Sequence, residues 1–422
     1  MKVEPSRLAR RLGTRDAVFI GFGSMIGAGI FAALAPAASA AQAGLVFGLV
    51  IAAVVAFFNA LSSAQLARLY PSSGGTYVYA RERLGDFWAW TAGWGFMVGK
   101  FASCAAVALT FGFYICPECA RYLAAGAVIS FMTLNYFGIE KTANATRIMV
   151  SIVLITLFAI VFMMLIGQPS LGNLQPLYGT NGLYGILQSA GIWFFAFAGY
   201  SRIATLGEEV ESPGRTIPRA ILIALSITLI IYAAVVLSAL VLVGPAVLSG
   251  TNAPLAAAVT EAGFAQWQWV VTIGSAFATL GVLLSLMTGV SRTMFAMAAD
   301  RKLPSYLAKV HPVHMVPHLA EITVGLILTT IVLLVDVRSA IGFSSFTVLL
   351  YYAITNLAAF TLKEDERIYG RKLAVLGLIG CLILSFSLPI ASVIGGSLVM
   401  LIGLAVFLLQ ARWKKKGQHN LR

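Results

Sequence analysis

The residues able to do chemistry in this chain act mostly through their backbone. Gly21-Phe22-Gly23-Ser24-Met25-Ile26-Gly27-Ala28-Gly29-Ile30-Phe31 places four glycines within nine residues of an apolar run. Each glycine weakens a helix interior by about 1 kcal/mol relative to alanine. A helix that breaks here bares amides and carbonyls inside the run: N–H groups toward a carboxylate, C=O groups toward an ammonium. That chemistry suits a zwitterion. The same glycines also fit a close-packing face against a neighbouring helix. A second stretch, Trp193-Phe194-Phe195-Ala196-Phe197-Ala198-Gly199-Tyr200-Ser201-Arg202, interrupts an aromatic run with glycine and small residues. Interrupted helices at corresponding positions of two halves favour the reading as a break.

Charged and polar side chains add a few candidates. Lys100 lies fourteen residues after Asp86, about 21 Å along a helix axis. A lysine at mid-bilayer costs at least about 2.5–3.5 kcal/mol and must face the protein interior or a wet cavity. It is a candidate for coupling or substrate contact, or a structural lysine bonded to helix-end carbonyls. Arg202 precedes Glu208 by six residues and suits an inner gate, pairing with Glu208 or Glu209. Ser285 and Thr288, three apart on one helix face, are candidate sodium ligands. Glu208, Glu209, Glu321 and Asp336 all fall near the ends of apolar runs. A pocket for a cationic side chain usually wants a carboxylate or an aromatic cage, so neutral ligands are favoured. Cys116 and Cys119 have redox-motif spacing without a thioredoxin-like context. His311, His314 and His318 are separated by Pro312 and Pro317, and no metal site is expected there. No catalytic residues are expected.

These residues need elements to hold them, and composition says which. Hydrophobic residues make up 59% of the 422 and charged residues 11%, against about 45–50% and 25% in soluble domains. Lipid must be the solvent. Apolar runs long enough to cross a bilayer are read at 17–40, 44–67, 87–113, 120–138, 146–167, 184–206, 218–243, 266–298, 319–336, 339–362, 373–390 and 393–411. No cleavage site follows the first run, so it reads as a retained span. Basic residues concentrate in alternate loops, among them Arg81, Arg83, Lys141, Arg147, Arg215, Arg219, Lys302, Lys309, Arg367 and Lys372. The other loops hold little beyond Arg121 and Arg338. The positive-inside rule then puts both termini in the cytoplasm of an inner (plasma) membrane protein. It also absorbs the net charge of +13, so no nucleic-acid partner is expected. Four cysteines are too few for a disulfide scaffold.

At this point the chain resembles the amino acid–polyamine–organocation (APC) transporters. The resemblance rests on Gly23–Phe31, on Ala64–Tyr79 with its Tyr70-Pro71-Ser72-Ser73-Gly74-Gly75 centre, on Gly207–Ala220, and on Ser291-Arg292 running on to Leu303-Pro304. It spans about Asp16 to Arg412. It implies an all-α, LeuT-like fold of about twelve helices: a five-plus-five inverted repeat with helices 1 and 6 broken, plus two C-terminal helices. The organisation expected is a cytoplasmic segment at 1–16, repeat one at 17–167, repeat two at 184–362, helices 11–12 at 373–411 and a basic tail at 412–422. The implied site takes a substrate carboxylate on amides around Gly27, Ala28 and Gly29. The ammonium goes to the carbonyl of Met25 and to those near Phe195 and Ala198, with Phe195 over the substrate. Ser24, Ile26, Ala196 and Gly199 complete it.

Many relatives carry a lysine in helix five that substitutes for sodium. Here that position aligns near Val153, and helix five holds no lysine. Lys100 is left as the candidate for proton coupling, which is favoured over sodium, and no cofactor is expected. The function implied is secondary transport of L-amino acids, neutral ones favoured, by symport or exchange. The alternatives are cationic amino acids, polyamines, or a non-transporting sensor. An enzyme, a channel and an ATP-driven pump lack their signatures. The expected partners are a small amino acid and lipid, and the oligomeric state is left open.

Overall fold

Backbone in hydrocarbon finds no hydrogen-bond partner but itself, so each spanning segment must close its own bonds as helix. The computed structural model describes the backbone of residues 12–70, 74–138, 143–175, 177, 179, 181–204, 206 and 210–419. Among them the regular structure is helical, save one isolated bridge between Leu12 and Val210. Lys141, Glu208, Glu209 and the Pro71-Ser72-Ser73 part of the second motif lie outside the described residues.

Each expected span has a counterpart. The first is split into α1 (Thr14–Ile26) and α2 (Gly29–Ala41). The second is α3 (Leu45–Leu69), followed by a short α4 (Thr76–Leu84). The third, fourth and fifth are α5 (Asp86–Ile115), α6 (Ala120–Tyr136) and α7 (Ala143–Ile166). The sixth is α8 (Gly182–Phe197), a 3-10 turn at Ala198–Tyr200, and α9 (Ser201–Ala204). Then come α10 (Pro213–Ser249), a short α11 (Pro254–Val259), α12 (Gln268–Ala299) and α13 (His318–Leu334). The last three are α14 (Val337–Phe360), α15 (Arg371–Ser387) and α16 (Ile390–His419). Eight helical stretches among the described residues are, by length and composition, long and apolar enough to cross a membrane.

Some boundaries differ from the expectation. The seventh span breaks where it was expected to end, at Gly244 (φ 72°), and a further short helical piece runs on from Pro245 to Ser249. The last runs to His419 rather than 411. α4 was expected as loop. Gly75 (φ 54°) and Gly85 (φ 94°) bracket it in left-handed geometry, where glycine avoids a steric penalty. Tyr351 Oη accepts from the Thr76 amide at 3.2 Å, and the Thr76 and Thr355 hydroxyls lie 2.7 Å apart. Both contacts pin α4 to α14.

The packing has an internal exchange rule. If each of the first five spans is swapped with the one five later, contacts map onto contacts. α3 packs on α8, and α10 packs on α1 and α2. α5 packs on α14 and α6, and α12 packs on α7 and α13. The self-paired contacts are α2 with α8, α3 with α10, α5 with α12 and α6 with α13. The pairing sets the first five spans against the next five, and it puts α2 and α8 of the two broken spans side by side.

Charges segregate to the two faces of the bundle. Arg83 pairs with Glu366 at 2.6 Å, Arg147 with Asp16 at 2.5 Å and Lys302 with Asp86 at 3.4 Å. These pairs join loops that are distant in sequence, so the basic loops share one face. Each exposed pair is worth about 0–1 kcal/mol; what they report is geometry. Arg121 and Arg338 instead donate to the Leu333 and Ser249 carbonyls.

One buried acid ties three spans together. Glu321 is 3% exposed on α13. It accepts from Ser291 Oγ of α12 at 2.5 Å and from Asn135 Nδ2 of α6 at 3.2 Å. Ser291→Ala removes one donor from a buried carboxylate and is expected to cost about 1.5–3 kcal/mol. The check is thermal unfolding in detergent beside Ser130→Ala, an exposed serine bonded back to its own helix. Equal midpoints for the two variants would refute the role given to Ser291.

Candidate functional site

The first break is local and abrupt. α1 stops at Ile26, Gly27 leaves helical geometry (φ −58°, ψ −90°), and α2 restarts at Gly29, with the Ala32 amide bonding the Ala28 carbonyl at 3.0 Å. The last carbonyls of α1 and the first amides of α2 therefore have no partners within their own helices, and each end carries about half a unit of charge. The second break is softer: α8 tightens to the 3-10 turn at Ala198–Tyr200 before α9 resumes.

The glycines serve close approach as well as the break. A Cβ on Gly29 would sit 2.6 Å from Ala196 Cβ and 2.7 Å from Tyr232 Oη. A Cβ on Gly199 would strike the Ser24 carbonyl and lie 2.8 Å from the Met25 amide nitrogen. Distances under 3 Å are steric collisions, so neither position tolerates a side chain without movement. Both readings of the glycine run hold together.

Tyrosines from other spans secure the bared carbonyls. Tyr232 Oη of α10 donates to the Met25 carbonyl at 2.6 Å and lies 3.3 Å from the Ala196 carbonyl. Tyr352 Oη of α14 and Ser201 Oγ both donate to the Ala198 carbonyl, at 3.3 and 3.0 Å. Ser24 Oγ bonds back to the Ile20 carbonyl at 2.8 Å. Sequence reading missed both tyrosines; a single polar residue in an apolar run carries no periodic signal.

A cavity of 40 Å³ lies between the breaks, well short of the roughly 150 Å³ that takes up a benzene-sized guest. Ser24, Met25, Ala28 and Gly29 line one side, and Phe195, Ala196, Ala198 and Gly199 the other. Lys100, Ser103 and Val107 of α5 and Val282 and Leu286 of α12 close it. The last four were not foreseen. Ser103 Oγ lies 2.6 Å from Ser344 Oγ, bridging α5 to α14.

Five foreseen residues stay off the cavity wall. Ile26 is buried in the core at 1% exposure. Gly27 packs against Val282 and the Ala278 carbonyl. Ser285 does not line the cavity, and Thr288 faces away, bonding the Leu284 carbonyl at 2.9 Å with Asn135 Oδ1 at 3.5 Å. Spacing put the two hydroxyls on one face but could not say that α6 covers it. Arg202 is half-buried on α9, below the break; the expected partners Glu208 and Glu209 lie outside the described residues.

Lys100 is 7% exposed. Its Nζ lies 5.6 Å from the Phe96 ring centroid, a cation–π distance. Among the described residues no carboxylate pairs with it, and no helix-end carbonyl accepts from it. A buried amine thus shares a small chamber with two opposed sets of backbone ends and the hydroxyls of Ser24 and Ser103.

Tyr232→Phe leaves the Met25 carbonyl without its donor. The expected loss is about 1 kcal/mol, read as a lower unfolding midpoint. Tyr122→Phe, at a ring 76% exposed, is the control and should leave the midpoint unmoved; matching shifts would count against the tether.

The family profile described as amino acid permease matches residues 12–411. An uncharacterized transporter of Mycobacterium tuberculosis is 54% identical over 407 residues, covering 96% of this chain and 92% of that one. The branched-chain amino acid permease BcaP of Bacillus subtilis is 27% identical over 442 residues, covering 97% and 94%. The human cationic amino acid transporter 4 is 28% identical over 388 residues, covering 85% of this chain and 60% of its own length. The chain therefore belongs to the amino acid permease family within the APC superfamily, as a multi-pass membrane transporter of amino acids and not an enzyme.

Proposed function

We propose that the chain carries neutral, apolar L-amino acids across the plasma membrane by alternating access, coupled to protons, with Lys100 as the coupling residue. The observation that carries this reading is that Lys100 shares one cavity with both breaks. The substrate carboxylate meets the amides of Gly27–Gly29. Its ammonium meets the carbonyls of Met25, Phe195 and Ala198, with Phe195 over the side chain. Met25 and Ala198 already accept from hydroxyls, so the ammonium uses a remaining lone pair or displaces a tyrosine.

Substrate class follows from charge. Beyond Lys100 the side-chain wall is Met25, Val107, Phe195, Val282 and Leu286 with the hydroxyls of Ser24 and Ser103, and it holds no carboxylate. Two like unit charges 4 Å apart repel by about 4 kcal/mol at an effective dielectric of 20. A lysine or arginine substrate meets that repulsion; leucine does not. The name of the Bacillus relative, a branched-chain permease, agrees. The cationic transporters among the relatives support the competing reading, which the fixed amine disfavours. Sodium is disfavoured because Thr288 is turned toward α6.

The units that move are the repeats at 17–167 and 184–362, with 373–411 outside them and both termini in the cytoplasm. A chamber this small opens only when the breaks part, and that parting is the transport step.

Purified protein in liposomes, offered labelled leucine, isoleucine, valine, phenylalanine, lysine and arginine, tests the reading. Saturable uptake of the neutral set is expected, raised by an inward proton gradient and indifferent to sodium. Preferred uptake of lysine or arginine would overturn the substrate class; stimulation by sodium alone would overturn the coupling.

Two variants locate the site. Lys100→Met should retain leucine counterflow yet lose its stimulation by the proton gradient; full gradient-driven uptake by this variant removes the coupling role. Gly29→Val should abolish uptake while remaining monodisperse, because its side chain meets Ala196 and Tyr232. Near-normal uptake would place the substrate elsewhere.

A further inference from the structure

Transport as proposed uses none of the four thiols, and two of them lie together in one loop. α5 ends at Ile115 and α6 begins at Ala120, and Cys116-Pro117-Glu118-Cys119 makes the turn between them. The Cys119 amide bonds the Cys116 carbonyl at 3.1 Å, which closes a tight turn. Cα atoms at the ends of such a turn lie under about 7 Å apart, and disulfides span about 4.4–6.8 Å. Cys116 is half-buried and Cys119 exposed, whereas Cys104 and Cys381 are buried. The pair already interacts: a hydrogen bond with Cys116 holds the Cys119 thiol above its usual range.

The turn sits at a joint. Two residues before Cys116, Tyr114 donates its hydroxyl to the Phe31 carbonyl of α2 at 3.3 Å and accepts from the Leu255 amide of α11 at 3.3 Å. Thr272 Oγ1 of α12 donates to the Tyr114 carbonyl at 3.3 Å. Gly112 packs so tightly on Ala120 that a Cβ there would strike the Ala120 carbonyl. The turn therefore links the outer half of the broken first span to α5 and α6.

We propose that Cys116 and Cys119 are a redox modification site that forms a reversible intramolecular disulfide. The exposed Cys119 thiolate attacks a disulfide-class oxidant, forming a mixed disulfide and releasing one oxidant thiolate. The Cys116 thiolate then attacks Cys119 Sγ and expels the second oxidant thiolate. The two cysteines lose two protons and two electrons; the oxidant disulfide becomes two thiols. Only a thiolate attacks, and the Cys119 thiol is held above its usual range, so the exchange quickens as pH rises. The proposal does not rest on the substrate or the coupling ion.

The experiment treats the purified full-length protein in detergent with oxidised glutathione, quenches with acid, and tags remaining thiols with a maleimide of known mass. Expected is a near-complete loss of tagging at both Cys116 and Cys119, a mass lower by two hydrogens, and a peptide map linking them. Dithiothreitol should restore both tags. Cys119→Ser should end as a glutathione adduct on Cys116. Continued tagging at both positions, or a wild-type protein that stops at a stable glutathione adduct, overturns the proposal. Should Cys119→Ser fold poorly, Cys116→Ser gives the same readout at Cys119.

Discussion

The contact between two unwound segments in the middle of the bundle governs the rest of the structure. Gly29 meets Ala196, and Gly199 meets the Ser24–Met25 peptide, closer than any side chain allows. Each segment exposes peptide groups that lipid cannot satisfy, and each unsatisfied group costs several kcal/mol in hydrocarbon. The bundle answers by burying the breaks against each other and lending them hydroxyls, Tyr232 from the seventh span and Tyr352 from the tenth. The tenth span is held in turn by polar contacts of its own. Asn356 of α14 donates to Asn59 of α3 at 2.6 Å and accepts from Ser62 at 2.7 Å, with Cys381 of α15 in the same cluster.

Much of this was legible before any coordinates. A bilayer demands long apolar runs, so composition and run length reveal the spans. A break inside such a run demands glycine and small residues, so Gly21–Gly29 and Ala196–Gly199 reveal where the two helices are interrupted. Both signals are local. What stayed hidden depends on partners far away in sequence. Tyr232 stands 207 residues from the carbonyl it bonds, and Ser103 stands 241 from Ser344. Thr288 shows what spacing leaves out: helical spacing paired it with Ser285, and only the packing of α6 brings its hydroxyl to 3.5 Å from Asn135 Oδ1. The α10 turn at Gly244–Pro245 was present in the letters, yet its outcome, a helix restarted past the expected end, is a tertiary fact.

Two buried ionisable groups divide the labour differently. Glu321 is held by two donors between α6, α12 and α13, and such satisfied buried polar groups rigidify the elements they join. Lys100 has no acidic partner among the described residues and faces the cavity. A charge held by neighbours suits a scaffold that stays fixed; a charge facing a chamber suits a part that responds to what enters. The packing does not divide along the same line: α2 meets α8 as α5 meets α12, and α5 itself carries Lys100 to the cavity wall.

The cavity's size then becomes informative. At 40 Å³ it holds no amino acid, so on the reading proposed above binding spreads the breaks and forfeits some close contacts between them. The zwitterion offers the bared amides and carbonyls charged partners, and charge-assisted hydrogen bonds are roughly twice as strong as neutral ones. It can therefore replace what it disrupts. A substrate with only one of its two charges would open the same contact and repay half of it. On this argument, recognition of both ends of an amino acid and the conformational change are one event, with the side chain choosing only how well the apolar wall of Val107, Phe195, Val282 and Leu286 closes around it.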